Sequence, residues 1–414
     1  MTRPFRTCSV GRVPPAAQRC ERDTICLRGF TLGINYPWVR CGWDFGRKPH
    51  RYGAGRCNVD WRAVKTKLQG WRTTYRIALV RWFILVDGVN YPVGEDVAGY
   101  GRWMKRNGDS WEDLDNPEED EDVHLMPSRM PQLTDEYLED FEKLLSACEE
   151  AGVKLIPSFL DFGWFAHRRR ERNGQTRGGR ALFLLEGARN PFLDATLEPL
   201  LRVSERHRSA VFAWEVINEP DWVTVGGPTH GEHALWAMTR GLLEPPAHIE
   251  RVVSGAEMCA LIRESVRRIV DVHHFPATVG FAKPDLAWLE PGLASHLSAL
   301  AAHGKYIHQI HHYPGHLFDD IPDHGATLIR PCMVGEFWSG YSNDVLFPHV
   351  PWHDAQEQSD PQHYLYHRLD LIDRLRHFPV ALLWSADRGV PGSGLWDESQ
   401  QRQVRHYMNC LPPP

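Results

Sequence analysis

Apolar residues in this chain gather into short runs separated by polar, loop-rich stretches. Eight runs stand out: FTLGINYPW (30–38), RIALVRWFILVDG (76–88), GVKLIPSFLDF (152–162), VFAWEVINEP (211–220), PATVGFA (276–282), YIHQIHHYP (306–314), CMVGEFW (332–338) and VALLWSAD (380–387). They are rich in Val, Ile and Phe, and several are apolar at consecutive positions, as strands buried on both faces are. Between them, DEYLEDFEKLLSACEEAG, AEMCALIRESVRRIVDVHH and QHYLYHRLDLIDRLRHF repeat apolar residues three and four apart, the spacing of amphipathic helices. Eight strand–helix alternations predict an α/β protein, a parallel sheet closed into a (β/α)8 TIM barrel, as a single domain with long βα loops. An open doubly wound sheet is the competing architecture, but no G-x-G-x-x-G follows the first strand.

ESQQRQVRHYMNCL reads as the final helix. The barrel domain is therefore expected over residues 29–414, with residues 1–28 as an N-terminal extension. The stretch after the second strand, roughly 87–133, is long for a βα loop and marks a functional insertion. Within it DSWEDLDNPEEDED (109–122) is densely acidic, and HRRRERNGQTRGGR (167–180) after the third strand is strongly basic. Both read as solvated loops.

Composition narrows the partners. The 414 residues are 42% hydrophobic and 24% charged, ordinary for a soluble globular protein. A net charge of −6 argues against nucleic acid or an anionic membrane as the main partner. The N-terminus lacks the apolar run of a secretory signal, and no later run is long enough to span a bilayer, so the expected location is cytoplasmic. Nine cysteines without C-x-x-C pairing read as scattered, mostly reduced thiols. Oligomeric state is not readable from these features.

The segment WEVINEPDW (214–222) holds two glutamates four residues apart in an apolar run. Active sites of β/α barrels lie at the C-terminal ends of the strands. At ~3.3 Å per residue, Glu215 should sit ~13 Å deeper than Glu219. Pro220 cannot continue a central strand, which puts Asn218 and Glu219 at its mouth. Glu219 is therefore the candidate for chemistry, and Glu215 is expected to hold a buried arginine or histidine inside the barrel. A second carboxylate, Glu336, closes the seventh run. The sixth brings His311 and Tyr313, two apart and so on one face. Trp384 ends the eighth, and Arg81 lies in the second.

WEVINEP, IHHYP, VGEFW and LLW, in this order and at these strand ends, resemble the retaining β-glycosidases of glycoside hydrolase clan A, most closely family five, the cellulase and mannanase group. The resemblance covers about residues 30–390, with its specific motifs confined to the strand ends. It implies that Glu219 is the general acid/base and Glu336 the nucleophile. It also implies that Asn218 contacts the 2-hydroxyl of the sugar, and that Arg81, His311, Tyr313 and Trp384 line the substrate site. One departure is clear. Many members carry a histidine near the end of strand three, where this chain reads SFLDFGWF with Asp161 and Trp164.

Two carboxyl groups about 5–5.5 Å apart suit cleavage with retention, one protonated and one ionised. Arg81 near Glu336 would favour its carboxylate, and the charge of Glu336 would raise Glu219. Tyr313 is expected to donate a hydrogen bond to Glu336. No metal or cofactor is called for: a barrel metallohydrolase usually has H-x-H on strand one, where this chain reads GINYP. Trp38, Trp164, Trp222, Trp338, Trp384 and Trp396 fall at or beyond strand ends. Packing is the default reading for each except Trp384, whose motif position supports a sugar platform. The expected partner is a β-linked glucan- or mannan-type carbohydrate. A transglycosylase would use the same residues. A carbohydrate-binding barrel without turnover is the other alternative, and it would need neither an acid nor a nucleophile.

Overall fold

The computed structural model describes residues 24–25, 27, 29–36, 60–85, 133–166, 178, 180–227, 253–283, 286–312, 329–338, 363–375, 377–386 and 398–412. It also gives the backbone course of 101–107, 110–114, 123–127, 169–170 and 176–177. All eight predicted runs form strands: β1 (Thr31–Asn35), β2 (Leu79–Leu85), β3 (Lys154–Asp161), β4 (Trp214–Asn218), β5 (Ala277–Phe281), β6 (His308–His312), β7 (Cys332–Trp338) and β8 (Val380–Trp384). Each pairs in parallel with its sequence neighbours, and β1 meets β8, with Thr31 opposite Val380, to close the barrel. Every residue of β2 and β4 is buried, which accounts for their mostly apolar make-up, with Arg81, Glu215 and Asn218 as the polar exceptions.

Seven α-helices lie among the described residues: α1 (Trp61–Tyr75), α2 (Asp135–Ala151), α3 (Glu186–Glu205), α4 (Gly255–Val266), α5 (Pro291–Ala302), α6 (Tyr364–Asp370) and α7 (Glu398–Asn409). Their ends follow local chemistry. Asp60 caps α1 by accepting from the amides of Arg62 and Ala63, and Ser254 and Glu257 form a reciprocal capping box on α4. Gly152 ends α2 with φ of 68°, a left-handed conformation that costs glycine little. The outer faces of the strands and the inner faces of these helices share one large core that includes Trp82, Phe141, Trp214 and Tyr407.

The two charged stretches carry more order than expected of solvated loops. Gly101–Asn107 is the centre of a three-stranded antiparallel sheet, flanked by Ser110–Leu114 from the acidic stretch and by Val123–Pro127. In the basic stretch, Arg169–Arg170 pairs with Thr176–Arg177. Of the cysteines, Cys148, Cys259 and Cys332 are free and buried. Cys410 is disulfide-bonded, so the reduced state expected of most of the cysteines does not extend to it. No helix among the described residues is long and apolar enough to cross a membrane.

Inside the barrel, the N-terminal ends of the strands form a separate apolar layer of Leu79, Ile156, Phe212, Ala213, Ile307, Met333, Val380 and Leu382. Ile25 and Leu27 pack against it, and the amide of Ile25 donates to the carbonyl of Gly304 at 2.8 Å. The end of the expected extension therefore meets the floor of the barrel. Above this apolar floor the interior turns polar, and that is where the site begins.

Candidate active site

Arg81, the third residue of β2, is 1% exposed, and all five of its N–H groups are engaged. Its Nε donates to Glu215 Oε2 at 2.5 Å, and Nη2 donates to Glu215 Oε1 and Asn218 Oδ1, both at 2.6 Å. Nη1 donates to Asn35 Oδ1 at 2.9 Å and to Glu336 Oε1. Burial works against the Arg81 charge, but Glu215 and Glu336 outweigh it and hold the guanidinium above its ordinary range. Glu215 is fully buried and also accepts from Ser158 Oγ at 2.9 Å and Gln309 Nε2 at 3.0 Å. The deeper glutamate thus pairs with a buried arginine at mid-barrel.

Strand alternation alone does not deliver the upper residues. On β4, Glu215 faces inward, yet so does Asn218 three positions on, because an irregularity puts Thr278 opposite Glu215 but Gly280 opposite Asn218. On β7 a second irregularity puts Val334 opposite Ile310 and Glu336 opposite His311. Gly335 and Glu336 consequently both turn into the barrel. A Cβ at Gly335 would overlap the side chain of Gln309, and one at Gly280 would lie 2.7 Å from Gln309 Nε2 and 2.8 Å from Glu215 Oε1. Two glycines therefore make the room that the interior polar layer occupies.

Glu219 follows β4 in a left-handed conformation (φ 49°, ψ 51°), with its amide donating to the Gly280 carbonyl at 2.6 Å. A non-glycine residue there costs on the order of 1–3 kcal/mol, a strain that clusters at functional sites. Pro220 then starts a short 3-10 turn over Pro220–Trp222. The Glu219 carboxyl is 14% exposed and accepts His311 Nδ1 at 2.8 Å through Oε1. The same Nδ1 lies 3.7 Å from Glu336 Oε2. Nearest ligand atoms of Glu219, His311 and Glu336 all lie within 4.8 Å of one another. Among the described residues this trio is the group with metal-ligand spacing, and chelation would require His311 Nδ1 to present a lone pair.

Burial raises the Glu219 carboxyl to about 7, with Arg81 opposing and Glu215 adding to the rise. The leading cause is thus desolvation rather than the neighbouring Glu336. Burial also lowers His311 to about 4, against the pull of Glu336, so its ring is neutral near neutral pH. Asp221, two residues beyond Glu219, is raised by burial to about 7 although it accepts from the amides of Ala282 and Lys283. Those two bonds tie the turn after β4 to the end of β5.

Asp161, which stands where the family commonly has histidine, ends β3 and is 7% exposed. Its Oδ2 accepts from Asn218 Nδ2 at 2.8 Å and its Oδ1 from the Gly163 amide at 2.8 Å. Asn218 is thereby held at both ends of its amide, by Asp161 and by Arg81. Trp164 belongs to the core: its indole donates to the Leu85 carbonyl at 2.7 Å and its ring lies 5.6 Å from Phe192. Trp222 stacks on Phe162 at 6.1 Å beside Glu219. Trp384 ends β8, half-buried, 6.3 Å from Phe83, and the peptide bond to Ser385 is cis. Tyr313, Trp38 and Trp396 lie outside the described residues, as does the side chain of Trp338.

Of the other predicted positions, Arg81, Asn218, Glu219, His311 and Glu336 come together in one polar cluster, and Trp384 stands at its rim. Asn35, Ser158 and Gln309 complete the cluster and were not singled out from the sequence. Asn35 also bridges strands, donating to the carbonyls of Gly335 at 2.9 Å and Leu383 at 3.2 Å. Their signal was alternation: 307, 309 and 311 share a strand face, and Gln309 lies between two residues already placed inside.

No protein-family model and no curated protein sequence matches the chain. Solved structures do. A β-1,4-D-mannanase from Cryptopygus antarcticus superposes with a TM-score of 0.53 at 16% identity, covering 92% of this chain and 90% of that one. A β-1,4-mannanase from the sea hare Aplysia kurodai gives 0.52 at 15%, covering 92% of both chains. An endo-1,4-β-mannanase from Eisenia fetida gives 0.53 at 15%, covering 92% and 91%. At such identities the likeness establishes architecture: over nearly its whole length this chain folds as those mannanases do.

Proposed function

We propose that this chain is a retaining β-glycosidase, with Glu219 as acid/base and Glu336 as nucleophile. The observation that carries the reading is the convergence of these two carboxyls, from the ends of β4 and β7, on Nδ1 of His311 with nearest oxygens within 4.8 Å. That spacing is nearer the roughly 5–5.5 Å of retaining enzymes than the about 6.5–9.5 Å of an inverting pair, which must hold a water between its carboxyls.

In the first step an oxygen of Glu336 bonds to the anomeric carbon as the glycosidic C–O bond breaks. The leaving oxygen takes the electron pair and the proton of Glu219, which at about 7 is still held near neutral pH. In the second step Glu219, now a carboxylate, takes a proton from water. The water oxygen bonds to the anomeric carbon and releases Glu336. Arg81 stays fixed against Glu336 throughout, a donor whose position needs no rearrangement as charge on that carboxyl changes.

The three solved structures named above are β-1,4-mannanases, which supports β-1,4-linked mannan as the first substrate to try, with β-glucans next. Incubation with mannan, β-glucan and aryl β-glycosides should release reducing ends, with the β-anomer formed first by NMR. A 2-deoxy-2-fluoro glycoside should leave its mass on the peptide that contains Glu336. First formation of the α-anomer, or a label elsewhere, would overturn the assignment of roles. Tight binding without any release would favour the binding-only barrel.

A further inference from the structure

We infer that Gln309 is a positioning residue that fixes the tautomer of His311, and through it decides which oxygen of Glu219 carries the catalytic proton. The inference rests on the glycosidase reading for its consequence, though not for its geometry.

Gln309 Nε2 lies 3.0 Å from Glu215 Oε2 and 3.2 Å from His311 Nε2. Glu215 is bound by both arms of Arg81 and accepts hydrogen bonds only, so the atom facing it must be the amide nitrogen. An amide oxygen there would set two acceptors against each other in a buried site. The amide nitrogen has no lone pair to offer, so it donates its second hydrogen to His311 Nε2, which must be the unprotonated nitrogen. The hydrogen of the neutral ring then sits on Nδ1, which faces Glu219 Oε1 at 2.8 Å and Glu336 Oε2 at 3.7 Å. His311 donates to Glu219 Oε1, and Glu336 Oε2 lies beyond hydrogen-bond reach of the same nitrogen. With Oε1 of Glu219 occupied as an acceptor, the proton for the leaving group belongs on Oε2.

The surroundings are built for this one arrangement. Gly280 and Gly335 leave the space that Gln309 fills, and either Cβ would displace it. Among the described residues the buried Gln309 oxygen has no hydrogen-bond partner, so the amide is held through its nitrogen. The charged groups around His311 are Glu219 and Glu215 from β4 and its end, Glu336 from β7 and Arg81 from β2. None of them competes with Gln309 for Nε2 in the hydrogen bonds described. With the amide gone, the ring is free to protonate Nε2 and to accept on Nδ1. Glu219 would then spend its proton on His311 instead of the leaving oxygen.

The test is imidazole nitrogen NMR of the histidine-labelled full chain, with the His311 signals assigned by their loss in His311→Gln. The expected wild-type result is a protonated Nδ1 and a bare Nε2. Gln309→Met should lose that preference. It should also lower kcat/KM on an unactivated oligosaccharide by at least about tenfold more than on a dinitrophenyl glycoside, whose leaving group needs no proton. The alkaline limb of its pH profile should move. Protonated Nε2 in the wild type, or a tautomer and pH limb unchanged in Gln309→Met, would overturn the inference. The wild-type spectrum requires no substrate and no folded Gln309 variant, since His311→Gln serves only to assign the signals. If no β-glycoside is turned over, the functional reading fails while the spectrum still decides the role of Gln309.

Discussion

Arg81 grips Glu215 with two arms, at 2.5 and 2.6 Å, in a place where neither side chain is more than 1% exposed. The pair sits at the base of the site and supports everything above it. Asn218, Asn35 and Glu336 all hang from the remaining hydrogens of the same guanidinium. Arg81→Met should therefore destabilise the fold by about 3–5 kcal/mol, since it strands buried carboxylates. Adding Glu215→Gln should recover part of the loss, and urea denaturation of the two single variants and the double variant measures the coupling. Additive losses would contradict a direct pair.

The two mouth glutamates should separate in kinetics. Glu336→Ala should cut turnover by at least about a thousandfold on every substrate, with azide restoring some activity and giving an inverted glycosyl azide. Glu219→Ala should retain far more of its rate on dinitrophenyl glycosides than on oligosaccharides, because only the latter need a proton. Equal losses across both leaving groups would contradict the division of labour.

Glu219 also links activity to pH and stability. Its carboxyl is raised from an ordinary 4.5 to about 7, chiefly by burial, so the folded chain holds this proton more tightly than the unfolded chain. The stability it contributes is complete below about pH 4.5 and is lost as pH rises through about 7. Glu219→Gln keeps an acceptor for His311 but does not titrate. Its Tm relative to the wild type should climb over that interval. In the wild type, kcat/KM should decline on the alkaline side of about pH 7. A Tm difference independent of pH would contradict the raised carboxyl.

Asp161 holds the amide of Asn218, the residue that family resemblance aims at the sugar 2-hydroxyl. Asp161→Ala should reduce kcat/KM on ordinary glycosides about tenfold, within the range typical of a lost charged hydrogen bond. The effect should nearly vanish on the corresponding 2-deoxy glycoside. A loss of the same size on both substrates would make Asp161 a structural residue alone.

The sequence reveals the barrel because strands buried on both faces leave unbroken apolar runs, and all eight were legible for that reason. Helices were less so. In α1 the apolar positions Val64, Leu68 and Trp71 are thinly spaced among charges, and α3 carries Pro191 and Pro199 within it. Both depend on the barrel to order them. At the site, the motifs point to Arg81, Asn218, Glu219, His311 and Glu336, while Asn35, Ser158 and Gln309, which complete the cluster, belong to no motif. Gln309 is invisible without its pairing to Glu215 across the barrel. Asp161 shows in the sequence as a missing histidine, and its bond to Asn218 depends on both β3 and β4 turning a residue inward out of step. Such irregularities change facing by one position and leave no mark in composition.

Ile25 and Leu27 bear on a different question, namely where water comes from. The interior of an eight-stranded barrel is filled by side chains, and here Ile25 and Leu27 cover the apolar layer that lies beneath the charged one. With the floor closed in this way, the proposed reaction would take its substrate and its water from the mouth where Glu219 lies. A chain begun at residue 29 would lose this cover over the floor. It should lose stability, and its buried backbone amides at the strand bases should exchange with deuterium sooner than those of the full chain.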